Sequence, residues 1–392
     1  MPFRGVDYYA IDSLLSEEER LVRDTFRRFV DEEVMPIIAG HFRDGTFPKH
    51  LIARLGALGA LGPSLQGYGC AGLGPVAYGL IMQELERGDS GVRSFASVQG
   101  SLAMYPIHTF GTEEQKRRYL PKMAAGELVG CFGLTEPDFG SNPQGMRTTA
   151  RRVGPGWVLN GEKRWITNGG IADLAVVWAR ADEGSGAPRI RGFVVERGAK
   201  GFSTRDIHGK FSLRASVTSE LVFEDCELPE SALLPGTEGL RSALQVLDQA
   251  RFGISFGVVG AAMACYEEAL SYTKERVQFS KPIAGYQLVQ AKLVDMLEKI
   301  TNAQLLAWRL GRLKEAGQAR AQQTSLAKRH NVRIALEIAR TARDLLGANG
   351  VTDEYQAGRH MCNLESVFTY EGTDHIHTLV LGQDITGLNA FT

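Results

Sequence analysis

The sequence predicts an α+β fold, mostly helical, in three parts. These are an N-terminal helical domain over 1–126, a central, mainly antiparallel β domain over 127–236 and a C-terminal four-helix bundle over 237–392. Two changes of pattern predict it. Apolar residues recur every three or four positions up to about residue 126, then give way to short β-branched and aromatic runs cut by Gly, Asn and Pro. From about 237 the helical period returns in much longer stretches. With 392 residues, 44% of them hydrophobic, the chain is long enough to divide into such substructures.

In chain order, "SLLSEEERLVRDTFRRFVDEEVMP" opens with a serine and an acidic first turn, the signature of a helix start, and is expected to stop at Pro36. "PKHLIARLGALGAL", "PVAYGLIMQELERG" and "TEEQKRRYLPKMAAG" follow as further helices, separated by short Gly and Pro punctuation. "GWVLNGEKRWITN", "ADLAVVWAR", "RGFVVER" and "SELVFEDCELP" read as strands. "YEEALSYTKERV", "YQLVQAKLVDMLEKITNAQLLAWRLGRLKEAG" and "TSLAKRHNVRIALEIARTARDLLGANG" are long and amphipathic, enough for an antiparallel bundle.

Composition excludes several function classes. Basic and acidic residues number 44 and 45, a net charge of −1, so no global field steers the chain to nucleic acid or an anionic membrane. The most apolar stretch, "GISFGVVGAAMACY", is too short for a membrane span. The N-terminus has neither the apolar core of a signal peptide nor the acid-poor character of a transit peptide, which suggests a cytoplasmic protein, or a mature matrix form in a eukaryote. Cys70, Cys131, Cys226, Cys265 and Cys362 are scattered and odd in number, and read as buried free thiols.

Gly67, Gly69 and Gly72 form a GxGxxG, but no apolar strand precedes it, so it reads as a loop and not a dinucleotide fingerprint. Asp374, His375 and His377 lack metal-ligand spacing, and no metal is expected. The stretch "VFTYEGTDHIHTL" carries the chemistry. Glu371 follows Phe368 and Tyr370 and precedes Gly372, where the backbone could come close to a ligand. A carboxylate held against apolar and aromatic groups loses hydration, and its pKa rises. Such a base suits removal of a weakly acidic C–H proton.

"CFGLTEPDFGSN", "KRWITNGG", "ERVQFSKPIAGYQLVQ", "DLLGANG" and "TYEGTDHIH" occur in the order and at the spacing of the acyl-CoA dehydrogenases, which the chain resembles over nearly its whole length. Within that family it most resembles the glutaryl-CoA dehydrogenases, on "ELERGDSGVRS", "GKFSLRAS", "DEYQAGRHMCNLESVFTYEGT" and "ITGLNAF".

The resemblance implies an FAD cofactor, an acyl-CoA substrate, an electron-transferring flavoprotein as acceptor and a homo-oligomer, a tetramer as in the family. It implies Glu371 as the catalytic base, with its backbone N–H on the thioester oxygen. Arg93, with Ser94, Glu86 and Tyr370 beside it, would hold a distal substrate carboxylate; its bland alternative is a surface arginine or a partner of Glu86. Ser141, Leu244, Arg251 and Gly372 would also meet the substrate, although Arg251 could equally support helix packing. Phe132, Leu134, Thr135, Gly140, Ser141, Trp165, Ile166 and Thr167 would line the flavin, with strand core as the alternative for Trp165 and Ile166. Arg276, Phe279, Gln287, Leu346 and Gly347 would reach the FAD of a neighbouring subunit, and Thr373 and Phe391 would complete its site. The chain departs from the family at Asn142, at Ala348, at Phe95 and Ala96, where pocket volume beside Arg93 would be redistributed, and in the order Asp374, His375.

Overall fold

The computed structural model describes residues 3, 5–184 and 187–391. Among these, seven α-helices precede the first strand: α1 (Glu17–Phe29), α2 (Met35–Asp44), α3 (Leu51–Ala57), α4 (Pro75–Gly88), α5 (Ser90–Ser97), α6 (Tyr105–Phe110) and α7 (Glu113–Ala124). Ser16 starts α1 by accepting from the N–H of Glu19 at 3.2 Å, while the Glu19 carboxylate accepts from the N–H of Ser16 at 2.7 Å, a reciprocal cap. The expected stop at Pro36 does not occur. The chain runs from α1 through a π-helical turn, Val30–Val34, into α2, and Pro36 stands in the first turn of that helix. A proline there needs no amide hydrogen, and the wider turn before it absorbs the missing bond. Gly67, Gly69 and Gly72 lie in the loop between α3 and α4, all at positive φ, with no strand feeding them.

The middle of the chain is a seven-stranded sheet. Its strands are β1 (Gly130–Gly133), β2 (Thr149–Val153), β3 (Gly156–Thr167), β4 (Leu174–Asp182), β5 (Arg189–Glu196), β6 (Phe202–Asp206) and β7 (Thr218–Leu228). The order is β1-β4-β2-β3-β7-β6, with β5 also on β4. β2–β3, β3–β7, β4–β5 and β6–β7 are antiparallel; β1–β4 and β2–β4 are parallel. The register of β3 against β7 slips between Lys163 and Ile166, and within that bulge Trp165 takes left-handed backbone at φ 63°. The bulge turns the Trp165 ring outward, 56% exposed, while Ile166 packs inward.

The C-terminal part comprises α8 (Gly239–Glu275), a hairpin of β8 (Val277–Gln278) and β9 (Lys281–Pro282), then α9 (Gln287–Glu315), α10 (Ala321–Leu345), α11 (Gln356–Thr369) and α12 (Asp374–Thr386). α8 has 37 residues and is therefore about 55 Å long. Ile254, Val258, Met296, Ile300, Ile338 and Leu364 join α8, α9, α10 and α11 in one apolar core. "GISFGVVGAAMACY" is wholly buried within α8, and no helix of the described residues is long and apolar enough to cross a membrane. The five cysteines are free; Cys131, Cys226 and Cys265 are buried, Cys70 and Cys362 partly so.

Candidate active site

The loop that joins α11 to α12 carries Tyr370, Glu371, Gly372 and Thr373. Glu371 has left-handed backbone, φ 51°, and Gly372 has φ 90°. A residue with a Cβ disfavours that conformation by about 1–2 kcal/mol, so it persists only where the surroundings hold it. Three hydrogen bonds do so. Arg251 Nε, on α8, donates to the Glu371 carbonyl at 2.7 Å, and Lys328 Nζ, on α10, donates to the carbonyls of Tyr370 and Gly372 at 2.5 and 2.6 Å. Below the loop lies His377; a Cβ on Gly372 would come within 2.8 Å of its Nε2, so only glycine fits. Thr373 caps α12 by accepting from Ile376 N–H at 3.1 Å, and Asp374 receives Arg333 in two bonds of 2.6 and 2.5 Å. The acid and histidine cluster thus serves a helix end, and no group of three or more potential metal ligands forms among the described residues.

The Glu371 side chain turns toward the N-terminal domain. Its Oε2 is buried and makes no hydrogen bond among the described residues. Burial pushes its pKa above the ordinary carboxylate value, against the pull of Arg93, Lys328 and Arg251. Arg93, on α5, and Glu86, on α4, are 0% exposed and bond to each other, Nε to Oε2 at 2.7 Å and Nη2 to Oε1 at 3.3 Å. Burial works against the Arg93 charge, but Glu86 and Tyr370 outweigh it and hold the pKa above its usual value. Arg93 Nη2 also donates to the Tyr370 hydroxyl, which lies 3.2 Å from Ser94 Oγ, and burial raises that phenol to about 12. Arg93 Nη1 is buried and makes no hydrogen bond among the described residues. One guanidinium nitrogen and one carboxylate oxygen are therefore left open, both buried.

α5 is aimed by its first residues. Asp89 caps it, accepting from Gly91 N–H at 2.7 Å, and also receives Arg359 Nη1 at 2.6 Å and Asn363 Nδ2 at 2.9 Å from α11. The helix bearing Arg93 and the helix leading to Glu371 thus share one buried carboxylate. Phe95 stacks on Phe47 at 4.9 Å in the main core. The Phe95 ring thus packs against the loop between α2 and α3.

The remaining expected residues form two groups. Phe132 and Leu134 pack against Trp178, Val98, Leu102 and Val246, between the sheet and α8. The Thr135 carbonyl accepts from Arg164 N–H at 2.9 Å, and Lys163 ties the two segments together, donating to Leu134 O at 3.1 Å and Glu136 Oε1 at 2.8 Å. Trp165 and half-buried Thr167 belong to this neighbourhood, Ile166 packs inward, and Gly140 and Ser141 are exposed. Leu244 is exposed on α8, two turns before Arg251.

Arg276 lies just past the other end of α8, roughly 37 Å from Arg251 at 1.5 Å per residue, and Phe279 and Gln287 follow it in the hairpin and at the start of α9. Phe279 is 91% exposed at a left-handed turn. Leu346 is buried in the bundle core, while Gly347, at φ 61°, and Phe391 are exposed. The length of α8 thus separates Arg276 from the Arg251 that holds the Glu371 carbonyl.

Lys328, Asp89 and Gly257 were not singled out in the sequence. For Lys328 the signal was present: Thr324, Lys328, Asn331 and Ala335 recur at core spacing and all are buried.

Comparison with known proteins matches residues 16–127 to the acyl-CoA dehydrogenase N-terminal domain, 131–226 to its middle domain and 237–386 to its C-terminal domain. A glutaryl-CoA dehydrogenase from Mycobacterium smegmatis in complex with FADH2 is 53% identical, with TM-score 0.96 over 98% of both chains. Butyryl-CoA dehydrogenase from Megasphaera elsdenii is 32% identical, with TM-score 0.90 over 95% of this chain and 98% of that one. A short-chain-specific acyl-CoA dehydrogenase from Clostridium acetobutylicum is 36% identical over 96% of this chain and all of its own length.

Proposed function

The chain belongs to the acyl-CoA dehydrogenase family, and from that premise we propose that it oxidises glutaryl-CoA at the α,β bond and releases carbon dioxide to give crotonyl-CoA. The observation that carries the acyl group is the buried guanidinium of Arg93 with Nη1 left open beside Tyr370. A hydrocarbon pocket has no use for such a donor, and its desolvation is offset only when an anion or other acceptor meets it. A distal carboxylate answers that chemistry, because the fork of an arginine can grip both oxygens. The similarity to a glutaryl-CoA dehydrogenase supports the same reading.

FAD is the cofactor of this reaction. The residues fit it: a bulge holds an indole ring out of the sheet at Trp165, beside a loop anchored by the buried Lys163–Glu136 pair, and a Cβ on Gly140 would meet nothing within 4 Å. Phe132, Leu134, Thr135, Trp165, Ile166 and Thr167 would hold the flavin, with Gly140 and Ser141 beside its passage. When bound, FAD accepts the hydride that leaves the substrate β-carbon.

Glu371 takes the α-proton. Its raised pKa makes it a stronger base, and the open Oε2 is the atom that receives the proton. The Glu371 N–H supplies a donor to the thioester oxygen. Arg93 holds the distal carboxylate until the double bond has formed; carbon dioxide then departs with cleavage of one C–C bond. The electron pair left on the substrate takes back the proton from Glu371. Atoms and charge balance, with two electrons passed onward to an electron-transferring flavoprotein. Leu244 and Arg251 mark the face of α8 along which the thioester arm runs.

Because Arg276, Phe279 and Gln287 lie far from Glu371 of their own chain, they would serve the FAD of a neighbouring subunit in a homo-oligomer, a tetramer. A second reading, a short monocarboxylic thioester, is favoured by the short-chain-specific relative. Anaerobic titration of the flavin-loaded protein with glutaryl-CoA and butyryl-CoA tests both. Glutaryl-CoA should bleach the flavin and release carbon dioxide, Glu371→Gln should keep FAD and lose bleaching, and Arg93→Met should lose glutaryl-CoA first. Preference for butyryl-CoA, or glutaryl-CoA turnover unaffected by Arg93→Met, overturns the substrate.

A further inference from the structure

Lys328 is 1% exposed, and both hydrogen bonds of its ammonium go to backbone carbonyls, those of Tyr370 and Gly372. Glu371 lies between these acceptors, and its own carbonyl is held by Arg251. Three successive carbonyls of the loop therefore turn toward two basic groups, one on α8 and one on α10. In a trans peptide the C=O and the following N–H point in opposite directions. Fixing the Tyr370 carbonyl on Lys328 turns the Glu371 N–H away from the ammonium, and fixing the Glu371 carbonyl on Arg251 turns the Gly372 N–H away from the guanidinium. The same contacts oppose the intrinsic preference of Glu371 to leave left-handed backbone.

We propose that Lys328 is a positioning residue for the base: by bridging the carbonyls on either side of Glu371, it fixes the direction of that side chain and of its N–H, and its charge favours the carboxylate over the acid. This rests on the reading of Glu371 as the base. The groups that face Lys328 are Glu371 and Tyr370 of the loop, Arg251 of α8, Arg93 of α5, and Asp374 and His377 of α12, while Glu86 and Tyr78 of α4 face Glu371. Burial lowers the Lys328 pKa to about 7, with Glu371 opposing that fall and Arg251 and Arg93 adding to it. Burial raises Glu371, and Lys328 is among the groups that pull it down. Removing the ammonium therefore moves the Glu371 pKa further up.

The test compares flavin-loaded wild type, Lys328→Met, Lys328→Arg and Glu371→Gln. Exchange of the thioester α-hydrogen with deuterated water, followed by NMR with glutaryl-CoA and butyryl-CoA under anaerobic conditions, reads proton abstraction apart from flavin reduction. Lys328→Met should move the acid limb of the exchange profile up by about one pH unit, so that exchange on that limb slows about tenfold, and leave KM nearly unchanged. Lys328→Arg, which keeps the charge, should restore the limb. An unmoved limb in Lys328→Met overturns the proposal. If that variant does not fold, Lys328→Gln carries the same test, because it keeps a donor without the charge. Wild-type exchange in Glu371→Gln would remove the base reading itself. Loss of exchange there, together with a normal Lys328→Met, would remove only the role of Lys328.

Discussion

Gly257, on α8, faces the Arg93–Glu86 pair so closely that a Cβ there would lie 2.1 Å from Glu86 Oε2 and 3.3 Å from Arg93 Nε. Ordinary heavy-atom contact is roughly 3.5 Å, so Gly257→Ala forces the carboxylate back by roughly 1 Å or more. The displaced oxygen is the one that Arg93 Nε holds at 2.7 Å, and both side chains are wholly buried, so neither can swing into water. Overpacking of this kind costs about 1–3 kcal/mol of stability. A guanidinium misplaced by about 1 Å should lose roughly tenfold to a hundredfold in kcat/KM for a thioester whose far end it grips. Butyryl-CoA has no such end and should lose less. Initial rates of anaerobic flavin bleaching with the two thioesters give the ratio directly, and glutaryl-CoA preference should fall at least about tenfold. Equal losses on both thioesters would refute the reasoning, since the pair would then support only the fold. Unchanged rates on both would show that α4 and α8 separate without disturbing Arg93.

Three further outcomes are expected. Lys163→Met strips the partner from Glu136, which is buried and also accepts from the N–H groups of Arg147 and Thr148; chemical denaturation at pH 7 should show a loss of about 3–5 kcal/mol. Trp165→Ala removes the ring that the bulge displays, and fluorescence titration of the apoprotein should find FAD bound about tenfold more weakly, with the thermal midpoint of the apoprotein nearly unchanged. Burial lifts the thiols of Cys131 and Cys226 to about 12 and about 11, and Cys265 well above the ordinary thiol value, so a thiol reagent at pH 8 should label these three only after unfolding.

The change from helical period to short strands and back was legible because each pattern has its own spacing, and the sheet is indeed mainly antiparallel. Pro36 misled because its usual role is to end a helix, whereas a π-helical turn ahead of it lets the helical path continue. At the site, Phe368 and Tyr370 already suggested a poorly hydrated Glu371. Its left-handed backbone could not be read, because it is imposed by Arg251 and Lys328, which are far away in sequence. Lys328 was passed over within a long amphipathic stretch, although its phase placed it among core positions. The Arg93–Glu86 pair was anticipated as one alternative for Arg93; that a glycine one helix away makes room for it depends on the approach of α4 to α8, which no local pattern encodes.

Asp89 ties the first domain to the last by gripping Arg359 and Asn363 while it caps the helix that bears Arg93. In the proposed reaction neither part would hold a working centre alone: the proton acceptor would come from one, the anchor for the far carboxylate from the other. The proposed reaction therefore requires that the first and last domains have docked, and a chain in which they are apart should not reduce flavin with a thioester.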